Sequence, residues 1–498
     1  MTSTTSDPNL PSFHHPGSTR RQALGLLAVG ATLAAPAVRA ASSAARRHVL
    51  VLGAGMAGLT AALALLRAGH DVSVIEFQDR VGGRLLSVPI GSGQFSEAGG
   101  GHFRANMPYV LNYIRHFGLP LLSLNDGLPQ YVVGGHRIDS ASLAAWPLDL
   151  APEERGVSVS SNLQRYLVRA GLDTDTVLDR RWPDEETLER LDRVALGDLL
   201  RGVGASDAFC ALLDAHGGSN MTTGQALSII PDLAYHFGDQ NLFRIRGGNA
   251  RLPEAMARAV GAERIFLSSP VRAIDQSGAT VRVGVEGGRE FTGDAVVCTI
   301  PFSVMGEVSV TPGWSAGKLR MFREMEWEQT TKVIVQTRSP GWLRRNMRGW
   351  PLLGGDRPWE RIIDITGNEA GERGNVFFYL NGANAQTVYS QPKASRARDF
   401  LQRFQAEMPD LLGEVTFLDD FAWSEQPWIK GSFGGPPLGG GWMIGEWTRP
   451  EGRIHFAGDW TTMKSGWVEG AIESGLRAAR QVDPEARAEG RLRLRQEY

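Results

Sequence analysis

The residues best able to do chemistry in this chain stand at glycine-rich turns. Gly53-Ala54-Gly55-Met56-Ala57-Gly58 has the spacing in which the first glycine permits a tight turn, the second lets backbone approach a pyrophosphate, and the third allows close helix packing. Glu76 lies eighteen residues after Gly58, where a carboxylate can accept hydrogen bonds from a ribose. Lys332 interrupts the β-branched run Thr330-Thr331-Lys332-Val333-Ile334-Val335, which reads as a strand with one buried face, so a charge there either faces solvent or has a task. Trp467 and Phe433 sit beside glycines and offer aromatic ring faces, which attract cations in general; a Phe in that setting also packs well in a core. Asp459 ends a strand and can either accept hydrogen bonds from a ligand or cap a helix.

These groups need elements to hold them. His48-Val49-Leu50-Val51-Leu52 reads as a strand, Met56 to Ala68 as a helix with apolar periodicity, and Val72-Ser73-Val74-Ile75 as a second strand. Together they form a right-handed βαβ unit whose helix N-terminus meets phosphate with amide groups and dipole. Arg453 to Ala457 reads as a last strand leading into a helix over Val468 to Arg480, so the nucleotide fold closes with the C-terminus. The expected fold class is α+β, an α/β nucleotide-binding domain over 47–130, 241–310 and 445–482. A substrate domain of mixed sheet and helices covers 131–240 and 311–444, and a charged tail covers 483–498.

Net charge is -2 with arginines scattered along the chain, which lacks the basic stripe of a nucleic-acid binder. Two cysteines, Cys210 and Cys298, form no CxxC pair and no zinc-ligand spacing, so no metal site is expected. Cys298 lies in the apolar run Ala295-Val296-Val297-Cys298, which suits a buried thiol better than a bridge. No Gly-x-Ser-x-Gly elbow, His-Glu-x-x-His helix or Walker loop occurs. Residues 1–40 read as a twin-arginine export signal: Ser18-Thr19-Arg20-Arg21, a mildly apolar run from Ala23 to Ala35, and Val38-Arg39-Ala40 as a small-residue cleavage site. That run is shorter than the roughly 20 apolar residues a bilayer requires, so export without stable membrane insertion is expected. The mature protein is then periplasmic or secreted.

Asp79-Arg80-Val81-Gly82-Gly83-Arg84 follows Glu76 directly, and the segment resembles the flavin-dependent amine oxidase family. That family includes monoamine, polyamine and L-amino acid oxidases and tryptophan 2-monooxygenases. Further matches are Glu97-Ala98-Gly99-Gly100-Gly101, Arg246-Gly247-Gly248 with Leu252-Pro253, Val271, Thr299-Ile300-Pro301, Thr331-Lys332-Val333, Phe456-Ala457-Gly458-Asp459, and Gly466-Trp467-Val468-Glu469-Gly470-Ala471 with Ser474-Gly475. They cover nearly the whole mature chain and specify the family, not a substrate. The resemblance implies non-covalent FAD, with Gly83, Arg84, Gly100 and Gly101 along it, Val271 at its adenine, Asp459 at its ribityl chain and the amides at Val468 toward the flavin. It further implies that Lys332 assists reoxidation by oxygen near flavin N5, and that Trp467 and Phe433 flank the substrate amine.

The implied reaction is oxidation of an amine or amino acid by hydride transfer to flavin, reoxidation by O2 and release of H2O2. A tryptophan 2-monooxygenase outcome, a flavin desaturase and a non-catalytic exported flavoprotein remain as alternatives, and a homodimer stays open. The substrate region departs from the family at one point. Amino acid oxidases of the family carry Met-Arg after the glycine segment, and that arginine grips the substrate carboxylate. Here Gly101-His102 stand in its place, with Arg104 two positions on. In an extended segment His102 and Arg104 share a face, so Arg104 either replaces the missing group or pairs elsewhere. A neutral histidine and one displaced arginine copy a preorganised clamp poorly, which favours amines over amino acids.

Overall fold

The computed structural model describes residues 45–91, 93–124, 130–133, 136–139, 146–173, 176–179, 181–217, 221–238, 241–342, 350–351, 361–366, 373–407, 409 and 414–488. The expected export signal over 1–40 and the end of the charged tail lie outside these residues.

The first strand, His48–Leu52, is followed by the helix Met56–Arg67 and the strand Asp71–Ile75. All three are built largely of apolar residues that become almost wholly buried. The first strand is the centre of a five-stranded parallel sheet in the order Ile265–Phe266, Asp71–Ile75, His48–Leu52, Ala295–Cys298, Ile454–Phe456. Three distant chain segments therefore meet in one sheet, which makes the nucleotide fold discontinuous. The last helix, Val468–Val482, runs two residues beyond the expected Arg480 and packs on the first helix. Gly475 permits that contact, because a Cβ there would stand 2.3 Å from the Ala57 carbonyl oxygen.

A four-stranded sheet of Glu290–Gly293, Val281–Val285, Val271–Asp275 and Ser309–Thr311 adjoins this fold, and short strands at Phe103–Arg104, Leu242–Ile245 and Leu121–Leu124 form a third sheet. The stretch 146–238 is mainly helical and has its own apolar core around Tyr166, Phe209, Leu213 and Leu227.

A five-stranded sheet in the order Trp350–Pro351, Arg361–Asp364, Gly374–Asn381, Thr330–Thr337, Val415–Ala422 forms the other wall of the site, with antiparallel pairing throughout. The strand of Lys332 was expected to bury one face. All eight of its residues are buried, because it is an inner strand of this sheet and is covered on both sides. Cys210 and Cys298 are both buried and unbridged.

Candidate active site

One cavity of about 470 Å³ is shared by the parallel and antiparallel sheets. Its nucleotide-fold side is lined by Gly53, Gly55, Met56, Ala57, Glu76, Gly83, Arg84, Val271 and Asp459. Gly100, Gly101, His102, Arg104, Lys332, Phe433, Trp467 and Val468 line the same space. Of the residues given a cofactor, catalytic or substrate role from the sequence, Ala54 and Gly58 alone do not line it, and both have local work. The Ala54 amide donates to Glu76 Oε2 at 2.6 Å, and a Cβ on Gly58 would stand 2.0 Å from the Gly53 carbonyl oxygen.

The nucleotide side fits a dinucleotide. Gly53 turns the chain at φ 109°, a region L side chains rarely adopt. The first helix begins at Gly55 with no side-chain cap and no acid in its first turn, so its terminal amides are open to an anion. Gly55 bridges Gly82 in parallel, and a Cβ on Gly83 would lie 3.3 Å from Gly55 Cα, so two glycine turns meet backbone on backbone. The buried Glu76 carboxylate is further held by the Gln78 amide at 2.9 Å, and burial pushes its pKa above the usual range. The Asp459 carboxylate accepts from the Gly466 amide at 2.8 Å and from Arg84 Nη1 at 3.0 Å. It thereby ties the last glycine loop to the Gly82-Gly83-Arg84 turn.

Lys332 is buried, which removes the solvent-facing alternative. Its Nζ donates to the carbonyls of Glu97, at 3.2 Å, and Gly99, and lies 4.1 Å from the Phe377 ring centroid. Burial lowers the ammonium to about 7 and raises the neighbouring Glu97 carboxyl to about 7. Trp467 begins the last helix as its N-cap residue, and its indole N–H donates to Asp232 Oδ1 at 2.7 Å. The other Asp232 oxygen lies 3.4 Å from His236 Nε2. The rings of His102 and His236 meet Trp467 edge-on at centroid distances of 5.8 and 5.4 Å. Phe433 packs beside Gly466, where an added Cβ would stand 3.4 Å from its ring.

Sequence reasoning did not find Asp232, His216, His236, Arg361 or Tyr379, all of which line the cavity. Asp232 and His236 stand four apart on the helix Ala226–Gly238, a spacing that puts them on one face and was readable. Arg361 carried no local signal. Burial holds His102, His216 and His236 below the ordinary histidine value, so these rings are neutral at pH 7.

Residues 56–483 match the model of the flavin containing amine oxidoreductases. The chain belongs to this family. The oxidase is 29% identical over 480 residues to a flavin-dependent L-tryptophan oxidase of Lentzea aerocolonigenes, covering 89% of this chain and 99% of that one. It is 27% identical over 469 residues to an L-amino-acid oxidase of Mus musculus, covering 88% and 71% respectively. Its fold matches putrescine oxidase bound to putrescine with a TM-score of 0.74 at 21% identity, over 88% of this chain and 99% of that one. Cyclohexylamine oxidase from Brevibacterium oxydans gives 0.73 at 20% identity, with the same coverage. The enzyme is thus a flavin-dependent oxidoreductase acting on an amine or amino acid, with FAD as cofactor. Neither cysteine lines the cavity, in keeping with non-covalent FAD.

Proposed function

We propose that the oxidase binds FAD along Gly53, Gly55, Glu76, Gly83, Arg84, Val271 and Asp459, and oxidises the carbon next to a substrate nitrogen between Trp467 and Phe433. The observation that carries this reading is the shared cavity lined by both sets of residues. FAD, when bound, accepts the hydride and passes two electrons to O2, giving H2O2, while the resulting imine is hydrolysed to a carbonyl compound and ammonia or an amine.

The chain's own groups do the rest. Amides at the start of the last helix supply positive potential where negative charge builds up. The indole of Trp467 is fixed by Asp232 and forms a wall of the slot; its ring face favours the amine. Lys332 is placed to stabilise negative charge on oxygen when protonated. Nothing in this chemistry requires a side chain to remove a proton from carbon, because hydride departure is driven by the nitrogen lone pair. We further infer that residues 1–40 direct export by the twin-arginine route and that the cofactor and substrate domains keep the boundaries read from the sequence.

A screen of amines and amino acids for peroxide release by the purified yellow protein tests this reading. Peroxide and a carbonyl product in equal amounts are expected. An amide product would move the reading to a monooxygenase, and a colourless protein that binds NAD would contradict it.

A further inference from the structure

Arg361 begins the strand Arg361–Asp364 and lines the cavity. It faces Tyr379 across one strand pair, and Tyr379 faces Lys332 across the next. The three residues form one row over adjacent strands, so Arg361 lies about 10 Å, two strand spacings, from the lysine. Its Nη1 donates to the His216 carbonyl at 2.8 Å, and its guanidinium carbon lies 4.7 Å from the Tyr379 ring centroid. Those contacts fix the plane of the group. The opposite edge, Nε with Nη2, makes no hydrogen bond among the described residues, and Nε is buried. No carboxylate among the described residues makes a direct ion pair with Arg361, although its charge helps to lower the pKa of Asp232.

A buried donor such as Nε without an acceptor costs free energy, and a ligand that supplies two oxygens to Nε and Nη2 removes that cost. The edge of a guanidinium matches a carboxylate in a bidentate pair. We propose that Arg361 receives the substrate's carboxylate, so that the cavity takes an α-amino acid in preference to the corresponding amine. This deepens the oxidase reading and rests on it. Asp232 faces the same cavity, which therefore offers both charges that a zwitterion needs. The neutral histidines His102 and His216 add no further cation to the arginines and the lysine that line the cavity. The expectation that amines are preferred weighed only His102 and Arg104, and Arg361 reverses it.

The test compares kcat/KM for tryptophan with tryptamine and for phenylalanine with phenethylamine. The wild type is expected to favour the amino acid by about tenfold or more, and Arg361→Leu to lower that ratio by about tenfold, the size of a lost bidentate charge contact. Binding of indole-3-acetate, a carboxylate with no amine to oxidise, is followed in parallel by thermal shift. It is expected to weaken by about tenfold in Arg361→Leu and by less in Arg361→Lys, which keeps the charge and loses the fork. An unchanged ratio, a wild-type preference for amines, or undiminished indole-3-acetate binding in both variants would overturn the assignment. The binding measurement needs no turnover, so it remains decisive even if the oxidase reading fails.

Discussion

Lys332 is held by two carbonyl oxygens and an aromatic face, without a carboxylate in direct contact among the described residues. Such a site pulls the ammonium down to about 7, so its charge changes near neutral pH. If that charge serves the oxygen reaction, Lys332→Met slows flavin reoxidation more than anaerobic flavin reduction. The wild-type reoxidation rate should also fall as pH rises through about 7, and the variant should lose that dependence. Stopped-flow traces with equal losses in both half-reactions would sink the role. Replacing Glu76 with Ala leaves the Ala54 amide unpaired and, if Glu76 holds FAD as proposed, removes the ribose acceptor. FAD retention should weaken by about 1–3 kcal/mol, read by titrating FAD into stripped protein. Both residues were legible because each breaks its local pattern, one a cation in a β-branched run and one an acid at a strand end. The burial of Lys332 on both faces was not legible, since it depends on strands that pair with it from elsewhere in the chain.

The last helix is fixed to two other helices through two contacts. Gly475 lets it touch the first helix, and adding a methyl in Gly475→Ala forces the helices apart. A loss of about 1–3 kcal/mol is expected, the range for overpacking, measured by urea unfolding. Glu469 turns to the helix Pro108–His116 and accepts from the amides of Tyr109 and Val110 at 3.0 and 2.9 Å. It thereby caps that helix, whose own N-cap residue supplies no side-chain bond. Burial raises the Glu469 carboxyl to about 7. A raised folded-state pKa means that the folded protein holds the extra proton, so its stabilisation is full below the ordinary carboxylate range and is lost as pH rises through about 7. The stability advantage of wild type over Glu469→Gln should therefore shrink between about pH 4.5 and 7, followed by thermal unfolding across that window. The helix itself and Gly475 were readable from sequence; the partner of Glu469 lies 360 residues away and was not.

At the scale of the molecule, the parallel sheet was legible because strand, glycine turn, helix and acid follow one another within a short stretch of chain. The substrate wall was less so. Arg361 reaches the site by the register of an antiparallel sheet, which leaves no local pattern; the spacing of Asp232 and His236 marks one helix face, but not that this face meets Trp467. Among the described residues no helix is long and apolar enough to cross a membrane. If residues 1–40 are an export signal, changing Arg20 and Arg21 to Lys should retain the protein in the cytoplasm, scored by cell fractionation. The central claim is that one cavity brings substrate and FAD together for hydride transfer. Anaerobic mixing of the purified protein with a panel of amino acids and amines tests it most directly, with flavin absorbance followed before and after oxygen is admitted. The flavin is expected to bleach without oxygen, and to recover with one peroxide per flavin when oxygen enters. A flavin that stays oxidised with every amine and amino acid, or a protein that holds no flavin, would contradict it.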